Sequence, residues 1–148
     1  MEIMQKFFIS QKIPRDKVAD LLCSALEGGS NYWYEINGKV EGDFQYFGEY
    51  NEPKTKYLHL YPFQDGGALY ITDARADNPT LKIPVRLDFG RMYKGLQIWA
   101  DDALHAQDKD RSDSAHARYW GDFIANNTDA ETGDIFLQYC IFGKIIYG

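Results

Sequence analysis

Residues 14–36 read PRDKVADLLCSALEGGSNYWYEI. Pro14 stands where a helix begins, because the first helical positions need no amide donor. Behind it Val18, Leu21, Leu22, Ala25 and Leu26 recur at i, i+3, i+4, i+7 and i+8, which is one buried helical face. Gly28 and Gly29 stop that helix. The aromatic run that follows predicts a strand over Asn31 to Ile36, with Asn37-Gly38 as a turn and Lys39-Val40 strand-like beyond it. A helix leading directly into a strand is the seed of a mixed architecture.

Working outward, residues 2–9 read as a short strand, so the helix joins two strands. Residues 41–56 are polar and read as a loop. Tyr57 to Phe63 and Ala68 to Thr72 flank Gln64-Asp65-Gly66-Gly67, which predicts a hairpin, with Tyr57, His59 and Tyr61 on one strand face. Leu81 to Arg86 predicts a further short strand, confined by Pro84 to an edge or a bulge. From Leu87 the period changes. Met92, Leu96, Trp99 and Ala103 form one helical stripe, the charged stretch Gln107 to Ser114 reads as surface loop, and residues 115–126 predict a second helix with Tyr119, Trp120, Phe123 and Ile124 inward. Thr128-Asp129-Ala130-Glu131 is a capping box that starts a third helix, which Gly143 ends. The expected fold is therefore α+β: a mainly antiparallel sheet, one N-terminal helix and a cluster of about three C-terminal helices.

At 148 residues the chain has the size of one domain, and its 16% aromatic content supplies a substantial core. No apolar run approaches the roughly 18 to 20 residues of a membrane helix, and no leader pattern opens the sequence, so a soluble cytoplasmic protein is expected. The net charge of −6 is concentrated in residues 101–134, which hold nine acids and three bases. Direct nucleic-acid binding is disfavoured, since the one basic cluster, Lys12, Arg15 and Lys17, is small. Cys23 and Cys140 lie on apolar helical patterns and read as buried, reduced thiols.

Catalytic signatures are sparse. His59, His105 and His116 occur in no metal-ligand spacing, so no metal and no cofactor are expected. Asp101 and His105 stand at i, i+4, a spacing more often used for a local ion pair than for acid–base chemistry, and Glu27 is a further isolated acid. Phosphate-cradling glycine loops and a nucleophile elbow are absent. The segment best suited to binding is Gly28, Gly29, Ser30, Asn31, Tyr32, Trp33 and Tyr34. Its glycines leave backbone amides free to face outward, and its rings offer a stacking surface wherever alternation leaves a face open. The competing expectation is that the glycines only end a helix and the rings fill the core. Arg75, Arg86 and Arg91 are the candidate counter-charges.

The pattern Asp20-Leu21-Leu22-Cys23, Ala25 to Ser30 and Tyr32-Trp33-Tyr34, with Asp129 to Asp134, Phe136-Leu137-Gln138, Phe142-Gly143 and Tyr147-Gly148, resembles a family of small bacteriophage and prophage proteins. The resemblance implies an accessory factor acting in the cytoplasm of an infected cell, with counter-defence as its task. The function expected on this basis is non-enzymatic capture of a nucleotide-like immune signalling molecule. The alternative is a protein inhibitor of the anti-CRISPR kind, docking on a host defence nuclease through the acidic region. Homo-oligomerisation fits either reading.

Overall fold

The computed structural model describes residues 12–42, 54–78, 82–105 and 114–148. Helix α1 (Arg15–Ser24) has Pro14 as its N-cap and runs into a single π-helical turn, Ala25–Gly29. Strand β1 (Tyr34–Glu41) follows, then a 3-10 helix (Lys54–Phe63), strands β2 (Ala68–Asp73) and β3 (Val85–Leu87), and helices α2 (Phe89–His105), α3 (Ser114–Ile124) and α4 (Ala130–Phe142). The described strands form one antiparallel sheet in the order β1-β2-β3, and the fold is α+β as expected.

Helix α4 is the centre of the molecule. All nine residues from Thr132 to Cys140 are buried, because α1, the π-helical turn, α2 and α3 pack around it. Two glycines permit this closeness. A Cβ on Gly133 would stand 2.7 Å from both the Leu21 carbonyl oxygen and the Ala25 amide nitrogen, and one on Gly95 would stand 2.8 Å from the Cys140 Cα. Trp99 of α2 stacks on Phe123 and Tyr139 at centroid distances of 5.8 and 6.1 Å, joining three helices through rings that each bury a large apolar area. Leu69, Ile71 and Leu87 bring the sheet into the same buried cluster.

Several sequence expectations need correction. Asn37-Gly38 does not turn the chain: β1 continues through it, with a break in register between Ile36 and Val40. Asn31 to Trp33 form a turn, and the strand starts only at Tyr34. Tyr57 to Phe63 belongs to the 3-10 helix, not to a hairpin arm. Both edges of β2 are taken by β1 and β3, and Pro62 lacks the amide that a ladder needs. Uniformly apolar residues alternate as well as they spiral, so the pattern did not discriminate. The shared strand face of Tyr57, His59 and Tyr61 disappears with that arm. The cap of α4 is Asp129, one residue beyond Thr128; its side chain accepts from the Thr132 amide, while Glu131 accepts from the Tyr119 hydroxyl. Gly143 ends α4 in the left-handed region, φ 72°. The strand expected over 2–9, residues 43–53 of the loop expected over 41–56 and most of the surface loop expected over 107–114 lie outside the described residues; of the 41–56 stretch, Glu41 closes β1 and residues 54–56 open the 3-10 helix.

Candidate functional site: a cleft beside Arg15

The glycine and aromatic segment after α1 turns inward. Ser30 and Trp33 are fully buried. The Ser30 amide closes the π-helical turn on the Ala25 carbonyl, and the Asn31 amide reaches the Gly28 carbonyl at 3.5 Å, so these two donors are engaged within the turn. Gly29 abuts the Ala130 carbonyl, whereas Gly28 is exposed. Asn31 is exposed, the Tyr34 hydroxyl donates to the Leu26 carbonyl, and Tyr32 keeps 44% of its surface.

What gathers this segment is Asp134, a carboxylate only 7% exposed on α4. Its Oδ1 accepts from Ser30 Oγ and Trp33 Nε1, both at 2.7 Å; its Oδ2 accepts from the Tyr32 hydroxyl at 2.6 Å and Gln138 Nε2 at 3.1 Å. Four donors replace the water that burial removes, which is how a carboxylate is held inside a protein without a cation. Burial and this hydrogen bond push the Tyr32 phenol pKa well up. One turn along, Gln138 Oε1 accepts from the Ile146 and Tyr147 amides and Nε2 donates to the Tyr147 carbonyl, pinning the C-terminal segment. The Tyr147 hydroxyl then donates to Asp73 at the end of β2. This constellation joins four parts of the chain.

The three candidate arginines are not brought together. Arg75 lies over the Tyr147 ring, 5.1 Å from its centroid. Arg86 pairs with Glu41 and Asp88 at 2.9 and 2.6 Å. Arg91 donates to the Cys140 carbonyl. Asp101 and His105 are exposed and 3.9 Å apart, a surface pair at helical spacing. Cys140 is buried as expected, but Cys23 is only half-buried. Among the described residues no three His, Cys, Asp or Glu side chains converge as metal ligands, and no helix is long and apolar enough to cross a membrane. Part of the acidic stretch serves the fold: Asp102 accepts from Tyr139, Asp129 caps α4, Glu131 accepts from Tyr119 and Asp134 is the buried acceptor.

A cleft of about 400 Å³ opens elsewhere, where the start of α1, the end of the 3-10 helix, the Asp65-Gly66-Gly67 turn and the β3–α2 junction meet. Arg15 crosses it. Its guanidinium donates to the Phe63 carbonyl and lies 5.9 and 5.5 Å from the Phe63 and Phe89 ring centroids. Among the described residues it forms no ion pair with a carboxylate. Phe63 and Phe89 meet edge to face, with Phe89 half exposed. Gln64, in the cleft wall, is 6% exposed, and among the described residues neither its Nε2 nor its Oε1 has a hydrogen-bond partner. Both amide atoms are closed off from solvent, with Oε1 packed toward Gly42, so the amide is a cost of about 1–3 kcal/mol per group carried inside the wall. Arg86 and Asp88 form the far wall, tied to each other, and Asp65 stands exposed in the turn.

Sequence reasoning passed over this cleft because Arg15 counted as one charge of a small basic cluster and Gln64 as part of a hairpin turn. The usable signal was Gln64 beside Gly66-Gly67, a polar side chain in a run of buried residues. No family model, no curated protein and no solved structure matches this chain.

Proposed function

We propose that this chain is a non-catalytic binding protein that captures a small nucleotide-like anion in the Arg15 cleft. One observation carries the reading: a guanidinium with no carboxylate partner among the described residues shares a cleft with a half-exposed phenylalanine ring. Arg15 offers charge to a phosphate and Phe89 an apolar plane to a heterocycle. The cleft volume of about 400 Å³ suits a small ligand. The phage-like motifs at both ends of the chain support taking that ligand to be an immune signalling nucleotide of an infected host, held out of circulation.

Calorimetric titration with cyclic dinucleotides and cyclic ADP-ribose isomers tests the reading. Binding of at least one, weakened about tenfold or more by Arg15→Ala and by Phe89→Ala, is expected, with the ligand recovered intact on chromatography. Absence of heat across the panel, or binding indifferent to both substitutions, would remove the cleft from consideration. Recovery of a cleaved ligand would make the protein an enzyme.

A further inference from the structure

Helix α2 carries a second, apolar feature on its outer face. Phe89, Tyr93 and Leu104 are 45%, 57% and 64% exposed, and with Ala100 they line a groove of about 820 Å³ along the helix. Their positions lie close together around the helix, away from the core stripe of Met92, Gly95, Trp99 and Ala103. Lys94 and Asp101 flank the same groove on one side, seven residues and therefore about 10 Å apart along the axis.

We propose that this face pairs two copies of the chain, with their α2 helices antiparallel about a two-fold axis level with the Gln97–Ile98 peptide. The spacing itself selects a second copy as occupant. Lys94 and Asp101 are equidistant from that level, and a two-fold axis across antiparallel helices keeps each flank facing the same flank of the other copy. Each Lys94 therefore meets the other copy's Asp101, giving two symmetric ion pairs. The apolar residues obey the same register. Leu104 falls midway between Phe89 and Tyr93 of the second copy, so pairing and ligand capture compete for the Phe89 ring, and Tyr93 falls midway between its Ala100 and Leu104, where the small alanine leaves room for the ring. Arg15 also lines the groove, at its Phe89 end, so what selects a second copy is the self-complementary register of Lys94 and Asp101 along the flank.

Sedimentation velocity on the full chain over a concentration series tests the pairing. A reversible dimer is expected, and Leu104→Glu should make it monomeric while leaving the circular dichroism spectrum unchanged, because Leu104 is exposed. Lys94→Glu and Asp101→Lys should each raise the dissociation constant about tenfold, since each turns two attractions into two repulsions. The double variant K94E/D101K should recover wild-type affinity to within about threefold. A wild-type chain monomeric up to about 200 μM would overturn the proposal, as that bounds any pairing to weaker than about 5 kcal/mol. So would a dimer unaffected by either single reversal, or single defects that the double variant fails to repair.

Discussion

Trp33 and Asp134 stand 101 residues apart in the chain and 2.7 Å apart in space, the indole Nε1 donating to Oδ1. The bond ties the turn before β1 to the central helix, and a rigid ring fixes the donor, whereas the Ser30 and Tyr32 hydroxyls can rotate. Asp134→Ala should therefore destabilise the fold by about 3 kcal/mol, because buried donors lose a charged acceptor. Trp33→Phe, which keeps most of the ring and removes the N–H, should cost about 1–2 kcal/mol. Equilibrium urea unfolding measures both; an Asp134→Ala loss below about 1 kcal/mol would show that the donors find other partners.

The approach of α1 to α4 at Gly133 leaves no room for a methyl group. Gly133→Ala must displace backbone atoms, the Leu21 carbonyl and the Ala25 amide, rather than a flexible side-chain tip. Although alanine favours a helix by about 1 kcal/mol over glycine, overpacking should win and lower stability by about 1–3 kcal/mol net. A stabilised Gly133→Ala protein would mean that α1 can move away freely.

The N-cap of α4 gives the stability a dependence on pH. The Thr132 amide donates to the Asp129 carboxylate and holds its pKa below the ordinary aspartate value. A carboxyl whose folded pKa lies below its unfolded one contributes fully above the unfolded value, about 3.9, and loses that contribution as pH falls through the folded value. Asp129→Ala should cost about 1 kcal/mol at pH 7, and the difference from wild type should shrink as the pH drops below about 4. Melting curves at both pH values test the sign.

The two thiols should differ in reactivity. Burial, with Glu27 close by, pushes Cys23 up to about 11, and full burial raises Cys140 further. At pH 8 a disulfide reagent should label Cys23 slowly and Cys140 only when the protein unfolds. Rapid labelling of either in the native protein would contradict the packing around α1 and α4.

The helices were legible because their signals are local: Val18 to Leu26, Met92 to Ala103 and the Gly143 stop each declare themselves within a few turns, and the Thr128 capping box fell one residue short of the true cap, Asp129. The short strand expected over Leu81 to Arg86 exists only from Val85 to Leu87, because Pro84 stays outside the ladder. The 3-10 helix was not, because a run as apolar as Tyr57 to Phe63 fits either period, and its exclusion from the sheet depends on β1 and β3 occupying both sides of β2. Asp134 was counted as one charge of an acidic stretch. Its position four residues before Gln138, the two together in the otherwise apolar run Asp134 to Phe142, was the trace of a polar seam inside a buried helix. Three of its four donors, however, lie about a hundred residues upstream, and no short-range pattern reaches that far.

Because the element every other helix leans on is encoded at residues 130–142, synthesis delivers the centre of this molecule after its periphery. A nascent chain ending before Cys140 has α1, the sheet and α2 with nothing to close around, and must keep those apolar surfaces from associating until the axial segment arrives. The packing partner common to α1, α2 and α3 is thus supplied by the last helix in the sequence order.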